Sequence, residues 1–440
     1  MKVLFSPIGS TDPISNMRDG GMLHICRIHR PDKVYLYLSQ EMLKYSRMDD
    51  RYRQSIKMLG EHIGHRFQVE IIEDEEMVDV QIFDKFVSKF ERFIEQIKED
   101  ESVDEVIVNI SSGTPAMKSA LQIISMLGKG IKAIQVKTPM KSSNKYHEDK
   151  DKYDLNLQWE YNEDNTDFED RSVESVARDM LDRIRKENIE KLIRAYDYEA
   201  AEVMLQELSR DVSEELKCAL KIASARLKLD ITYVNNHRKK LDIAEWFPII
   251  DLRMMNEYEY IMAMKIKMLK GQYVDFVRDI TPIFFSLGEQ ILKKYCDISF
   301  EQIGWEKPSE IKESRETFWC LNVQKLKEMG LSVLPNWNDN TLITSSIICN
   351  IINQKGIDAD IDSIIKAIRA VEKNVRNMAA HQIVGLTADG IKRKVGYTPE
   401  EILDMCFKLA DYAGIKISKQ KKSIYDVMND GLVDMLYKAN

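Results

Sequence analysis

The sequence predicts an α/β amino-terminal domain of Rossmann-like type, then an all-α linking region and an all-α bundle. Three observations carry this. Residues 1–165 alternate strand-like apolar runs with segments of helical periodicity. Runs such as Val106-Ile107-Val108 are continuously apolar, as strands buried on both faces of a parallel sheet are. Strand signals nearly vanish from about Ser172 onward. A chain of 440 residues has room for roughly three domains of about 150 residues, and the expected divisions are 1–165, 166–250 and 251–440.

The first strand is Lys2 to Ser6, ending in the turn-rich Pro7-Ile8-Gly9-Ser10-Thr11-Asp12-Pro13. A helix through Met22, Leu23, Ile25 and Ile28 follows, then a strand at Val34 to Leu38, a charged helix from Glu41 to about Ile63, a strand at Phe67 to Ile72 and a helix from Phe83 to Ile97. The fourth strand, Val106 to Ile110, leads through Ser111-Ser112-Gly113-Thr114-Pro115 into a helix with apolar Met117, Leu121, Ile124 and Leu127; a fifth strand is Ile131 to Val136. Repeated strand-helix-strand units imply a parallel sheet covered on both faces. Lys141 to Lys152 is expected as an exposed loop or hairpin, Leu155 to Tyr161 as an antiparallel edge strand, and acidic Glu160 to Asp170 as a solvated linker. Beyond it, Val173 to Ile193, Tyr198 to Leu208 and Glu214 to Leu229 show helical spacing.

Composition excludes several classes. With 64 basic and 72 acidic residues the net charge is -8, which argues against coating nucleic acid through a global positive field. Six cysteines stand singly with no CxxC pair, as reduced core thiols do. The absence of a stretch of roughly 18 uncharged apolar residues and of a signal peptide predicts a cytoplasmic protein without a membrane partner.

Open parallel sheets bind ligands at the carboxyl ends of their strands, where this chain places Gly9-Ser10-Thr11-Asp12 and Ser111-Ser112-Gly113-Thr114. Gly113 allows close backbone approach, Thr114 suits a helix cap and Pro115 the first turn; free amides there favour phosphate. Thr114-Pro115 also reads as an ordinary helix start. Neither turn matches the dinucleotide or nucleoside-triphosphate loops.

The second pattern is Arg376-Asn377-Met378-Ala379-Ala380-His381, at the end of a stripe of Ile361, Ile364, Ile365, Ile368, Val371 and Val375. On a helix Asn377 and His381 lie within about 40°, whereas Arg376 and His381 are about 140° apart and share a cleft only through the length of the arginine or a helix break. With seven histidines and arginine at ~5%, about 0.35 such pairs arise by chance, so the spacing alone equally describes a structural histidine.

Together, Gly113-Thr114-Pro115-x-Met117 in a Rossmann-like domain, the helical remainder, Arg376-Asn377-x3-His381 and Asp19-Gly20-Gly21-Met22-Leu23-His24-Ile25 resemble a type III CRISPR-associated CARF–HEPN ribonuclease of the Csm module, type III-A family. The resemblance implies a CARF domain over 1–165, a helical linking domain over 166–250 and a HEPN ribonuclease domain over 251–440. It implies allosteric activation by a cyclic oligoadenylate, with six adenylates favoured, at Ser10, Thr11, Asp12, Asn109, Ser112, Gly113 and Thr114, and slow self-limiting cleavage of that ring with Thr114. It implies single-stranded RNA as substrate, antiviral defence, a homodimer that unites two copies of Arg376, Asn377 and His381, and metal-independent cleavage with no required cofactor. The rival expectation is a non-catalytic cyclic-oligoadenylate sensor whose helical bundle serves dimerisation or docking.

Overall fold

A computed structural model describes residues 1–138, 150–209, 212–249, 251–308, 317–381, 385–418 and 423–438. The chain divides into two compact units, Met1–Leu181 and Asp182–Asn440.

The first unit runs β1 (Lys2–Pro7), a small ribbon of β2 (Ile14–Ser15) and β3 (Arg18–Asp19), α1 (Gly21–His29), β4 (Lys33–Ser39), α2 (Gln40–Asp49) and α3 (Arg51–Ile63). It continues with β5 (Gln68–Asp74), α4 (Asp84–Lys98), β6 (Glu105–Asn109), α5 (Pro115–Leu127), β7 (Ile131–Val136), α6 (Leu155–Glu160) and β8 (Ser172–Glu174). The sheet order is β5-β4-β1-β6-β7-β8, parallel throughout except that β8 joins β7 antiparallel. Alternation of side chains along a strand sends Val3 and Phe5 of β1 to one face, against Phe86, Phe90, Met117 and Leu121 of α4 and α5, and Leu4 to the other, against Met22, Leu23, Ile56 and Leu59 of α1 and α3. The α/β prediction therefore holds, with helices on both faces.

The differences from expectation have local causes. Leu155–Glu160 is helix α6, not a strand: Asp154 accepts from Asn156 N and Leu157 N as an N-cap. The antiparallel edge strand is β8, farther along. The span read as one helix from Glu41 to Ile63 is α2 and α3, parted at Asp50 with φ +49°. The acidic segment 160–170 is no solvated linker, because Asn162 and Asp164 are buried among arginines. Most of the lysine-rich 141–152, residues 141–149, lies outside the described residues.

Helix α7 (Arg178–Arg194) leads into α8 (Tyr198–Leu205), α9 (Glu214–Leu227), α10 (Ile231–His237), α11 (Leu252–Leu269), α12 (Tyr273–Arg278), α13 (Ile280–Cys296) and α14 (Phe300–Ile303). A hairpin of β9 (Gly304–Pro308) and β10 (Thr317–Leu321) interrupts the helices, a departure from the all-α expectation. Then come α15 (Val323–Glu328), α16 (Ser345–Lys355), α17 (Ala359–His381), α18 (Ala388–Val395), α19 (Pro399–Ala413) and α20 (Ile424–Lys438), around one apolar core.

Arg226 on α9 and Glu259 on α11 form a fully buried ion pair at 2.8 Å, with Tyr425 of α20 donating to Glu259 at 3.1 Å. The guanidinium lies over the rings of Phe247 and Tyr425 at 4.8 and 4.7 Å. This contact joins three helices, and removing either charge would leave the other buried without its partner.

Candidate functional site

The chain leaves β1 for β4 and β5 on one side, then returns to β6 on the other. Connections from β1 and β6 thus part in opposite directions and open a crevice at their carboxyl ends, the switch point at which such sheets bind ligands. Both predicted turns line it. A Cβ added at Gly9 would lie 2.5 Å from Gly113 N, so the two turns touch backbone to backbone. Gly113 has φ +83°, and a Cβ there would meet Met117 Sδ at 2.9 Å and Pro7 Cβ at 3.1 Å. Only glycine satisfies both the conformation and the space.

The seven predicted activator residues fall into two groups. Asp12, Asn109 and Ser112 are buried braces. The Asp12 carboxylate accepts from Gly9 N at 2.9 Å, Met22 N at 3.2 Å and Ser112 Oγ at 3.0 Å, joining both turns to the start of α1. Asn109 Oδ1 accepts from Ser111 N at 2.8 Å and Ser112 N at 3.3 Å, while its amide donates to Ser6 Oγ at 2.9 Å. Ser10 and Thr11 are exposed, and Gly113 and Thr114 half-buried. Thr114 caps α5, its Oγ1 accepting from Met117 N at 3.4 Å and donating to the Val80 carbonyl at 2.6 Å.

Lys118 was missed in the sequence. It stands one helical turn beyond Thr114 on α5, half-buried, and its side-chain amine makes no hydrogen bond or salt bridge among the described residues. Burial lowers the pKa of its amine, partly offset by the charge of Asp12. A half-buried cation that forms no salt bridge, beside a switch-point crevice, is suited to an anion. The Thr114-x3-Lys118 spacing, which sets the two on one helix face, was the available signal.

Behind the crevice lies a buried ionic cluster. Asp19 accepts from Arg27 Nε at 2.6 Å and Asn162 Nδ2 at 2.7 Å; Asp164 accepts from Arg18 at 2.8 Å and Arg171 at 3.1 Å. His24 Nε2 accepts from Arg171 N at 3.0 Å, and burial followed by the charge of Arg171 pushes its pKa down to about 4. Ligand atoms of Asp19, His24 and Asp164 lie within 4.8 Å of one another, close enough for a cation. Three guanidinium groups already hold that place, so these donors fit arginine rather than a metal.

In the helical unit, α17 buries Ile361, Ile365, Ile368 and Val371, with Glu372 paired to Arg369. Its backbone is helical through Arg376, Asn377 and His381. The side chains of 375–381 lie outside the described residues.

Domain profiles match three consecutive stretches: the Cas_Csm6 CARF domain over 68–172, the CRISPR-associated protein Csm6 6H domain over 178–227 and the Cas_Csm6 HEPN domain over 246–433. The "CRISPR system endoribonuclease Csm6'" of Streptococcus thermophilus is 30% identical over 322 residues, covering 65% of this chain and 78% of that protein. The chain belongs to the Csm6 endoribonuclease family. The Csm6 of Mycobacterium tuberculosis (strain ATCC 25618 / H37Rv) is 28% identical over 443 residues, 99% of each chain. In fold, the chain is similar to Enterococcus italicus Csm6 bound to cyclic hexa-2'-fluoro-hexa-dAMP, with TM-score 0.68 and 20% identity over 99% of this chain and 100% of that one. The Csm6 CARF match includes Asn109 to Lys118, and the Csm6 HEPN match includes α17 with Arg376, Asn377 and His381. The family is thus an enzyme family, against the non-catalytic alternative. No helix among the described residues is long and apolar enough to cross a membrane.

Proposed function

We propose that this endoribonuclease is switched on by a cyclic oligoadenylate seated in the crevice at the ends of β1 and β6, and that its HEPN helices then cleave single-stranded RNA in antiviral defence in the cytoplasm. The observation that carries the reading is the crevice itself. Two glycine turns meet there and an unpartnered Lys118 stands beside Thr114, a cationic setting for phosphates in a chain of the Csm6 family. Ser10, Thr11, Gly113 and Thr114 are the ligand-facing group, whereas Asp12, Asn109 and Ser112 hold the turns in place. A ring with rotational symmetry fits two copies of the crevice across a two-fold axis, so the working unit is a homodimer. The Enterococcus italicus neighbour, solved with a six-membered ring analogue, supports cyclic hexa-adenylate.

RNA cleavage by this route needs no metal. The 2′-hydroxyl next to the scissile bond attacks phosphorus, the 5′-oxygen leaves, and the products are a 2′,3′-cyclic phosphate and a 5′-hydroxyl. His381 transfers protons, Arg376 stabilises the charge on the phosphorane and Asn377 orients the phosphate, with the second set supplied by the other protomer. In the CARF unit Thr114 also assists slow cleavage of the ring by its own 2′-hydroxyl, which limits the signal; a Thr114→Ala protein that binds the ring yet lets it decay at the wild-type rate contradicts that role. Of the expected divisions 1–165, 166–250 and 251–440, the first is extended through β8 to the end of its compact unit at Leu181.

The test is cleavage of a fluorescent single-stranded RNA in excess chelator, with no ring, cyclic tetra-adenylate or cyclic hexa-adenylate. Stimulation by the hexa-adenylate ring is expected. Cleavage that requires an added divalent ion, or that neither ring stimulates, overturns the reading.

A further inference from the structure

Helix α3 and the start of edge strand β5 bound an open groove of about 530 Å³, lined by Arg53, Lys57, Gly60, His65, Arg66 and Phe67 among others. A Cβ at Gly60 would meet the His65 carbonyl at 2.6 Å and Phe67 Cδ2 at 3.4 Å, so glycine lets the helix close on this segment. His65 bonds the Pro31 carbonyl at 3.1 Å and meets Phe67 edge to face at 4.6 Å, which holds both rings in place.

The charges in the groove are unusual for this chain. Arg53 and Arg66 are exposed and their guanidinium groups have no ion pair or hydrogen bond among the described residues, and the Lys57 amine reaches only Glu61, at 4.0 Å. Nearby Arg47 and Arg51, by contrast, are engaged by Glu73, Glu75 and Asp49. Glu61 also lines the groove, so Arg53, Lys57 and Arg66 leave it with net positive charge in a protein whose acidic residues outnumber its basic ones. Arg53 and Lys57 stand one helical turn apart, about 5–6 Å between Cβ atoms, and so can meet different phosphates of one strand. Half-buried Phe67 adds an aromatic surface, the combination that single-stranded nucleic acid sites use.

An added peptide strand fits poorly. The outer edge of β5 carries Glu70 and Glu73, tied to Lys33 and Arg47, and charges on an edge discourage strand pairing. Arg66 and Phe67 precede β5 at its amino end, whereas the ring crevice opens at the carboxyl ends of β1 and β6, so the two sites are distinct.

We propose that this groove holds a short run of single-stranded RNA by its phosphates and so captures substrate outside the HEPN cleft. The inference rests on the single-stranded RNA reading above. The test is fluorescence anisotropy with a labelled single-stranded 20-mer whose 2′-oxygens are methylated, which blocks cleavage and leaves binding readable. Arg53→Glu/Arg66→Glu is compared with Arg92→Glu/Lys129→Glu, an equal change of charge at exposed positions outside the groove. The groove variant is expected to weaken binding on the order of tenfold and to lower the slope of log K against log salt by about 1.4, for two lost phosphate contacts, while the control variant binds as wild type. Equal weakening by both variants means a diffuse field and overturns the groove, as does unchanged binding in both. Displacement of the 20-mer by AMP, an effect absent from the groove variant, identifies a mononucleotide pocket instead and also overturns it. Cleavage of unmethylated RNA by wild type with the ring is read separately: its failure contradicts the proposed function and not the groove.

Discussion

Replacing Lys118 by methionine should move stability and activator affinity in opposite directions. In the free protein its amine is half-buried, unpaired among the described residues and held below its ordinary pKa by desolvation. Methionine keeps the length and apolar stem and removes the desolvated charge, so Lys118→Met is expected to raise stability by about 0.5–1 kcal/mol, the low end of what relieving a poorly compensated polar group contributes. Under the proposed function, the same amine would meet a phosphate of the bound ring. A hydrogen bond to a charged group contributes about 1.5–3 kcal/mol, so its loss weakens ring binding about 10- to 150-fold for each copy of the crevice. Chemical denaturation and calorimetric titration with cyclic hexa-adenylate read the two quantities on the same samples. A destabilised Lys118→Met protein refutes the claim that the charge is uncompensated. Unchanged affinity refutes the claim that it faces the ligand.

Gly9→Ala places a Cβ 2.5 Å from Gly113 N and forces the two turns apart; at about 1–3 kcal/mol for such overpacking, ring affinity should fall about 5- to 150-fold by calorimetry. Glu259→Gln strands the buried Arg226 charge and should cost about 3–5 kcal/mol in denaturant unfolding, while Arg226→Met with Glu259→Leu costs far less. His24 has a folded pKa of about 4 against 6.5 for the free side chain. Being depressed, it contributes stability that is complete above pH 6.5 and lost as pH falls toward 4, in total about 3 kcal/mol; His24→Gln should flatten the acid limb of a pH-stability curve, and an identical limb contradicts the buried neutral imidazole.

The sequence made the crevice legible because each signal there was local. A run of buried-type residues, Val106 to Ile110, leads into Gly113 and Thr114, whose backbone and cap roles follow from residue type. What stayed hidden depended on distant partners. Asp164 looked solvated because Arg18, 146 residues away in sequence, folds back onto it beside Arg171. Leu155, Leu157 and Trp159 alternate as a strand does, yet Asp154 caps a helix, and one local hydrogen-bonding side chain outweighed the period. The β9–β10 hairpin carried its signal in Trp305, Phe318 and Trp319, aromatic residues at strand-forming positions. Residue type places Asp12 and Asn109 at the turns, but their bracing role emerges only from the three-dimensional hydrogen bonds.

The central claim is that ring binding in the first unit licenses RNA cleavage by the end of α17. The most direct test is to measure ring affinity and ring-stimulated RNA cleavage side by side, in chelator, for wild type and His381→Ala. The account predicts equal ring affinity in both proteins, with cleavage stimulated in wild type and abolished in His381→Ala. Stimulated cleavage that survives in His381→Ala contradicts it.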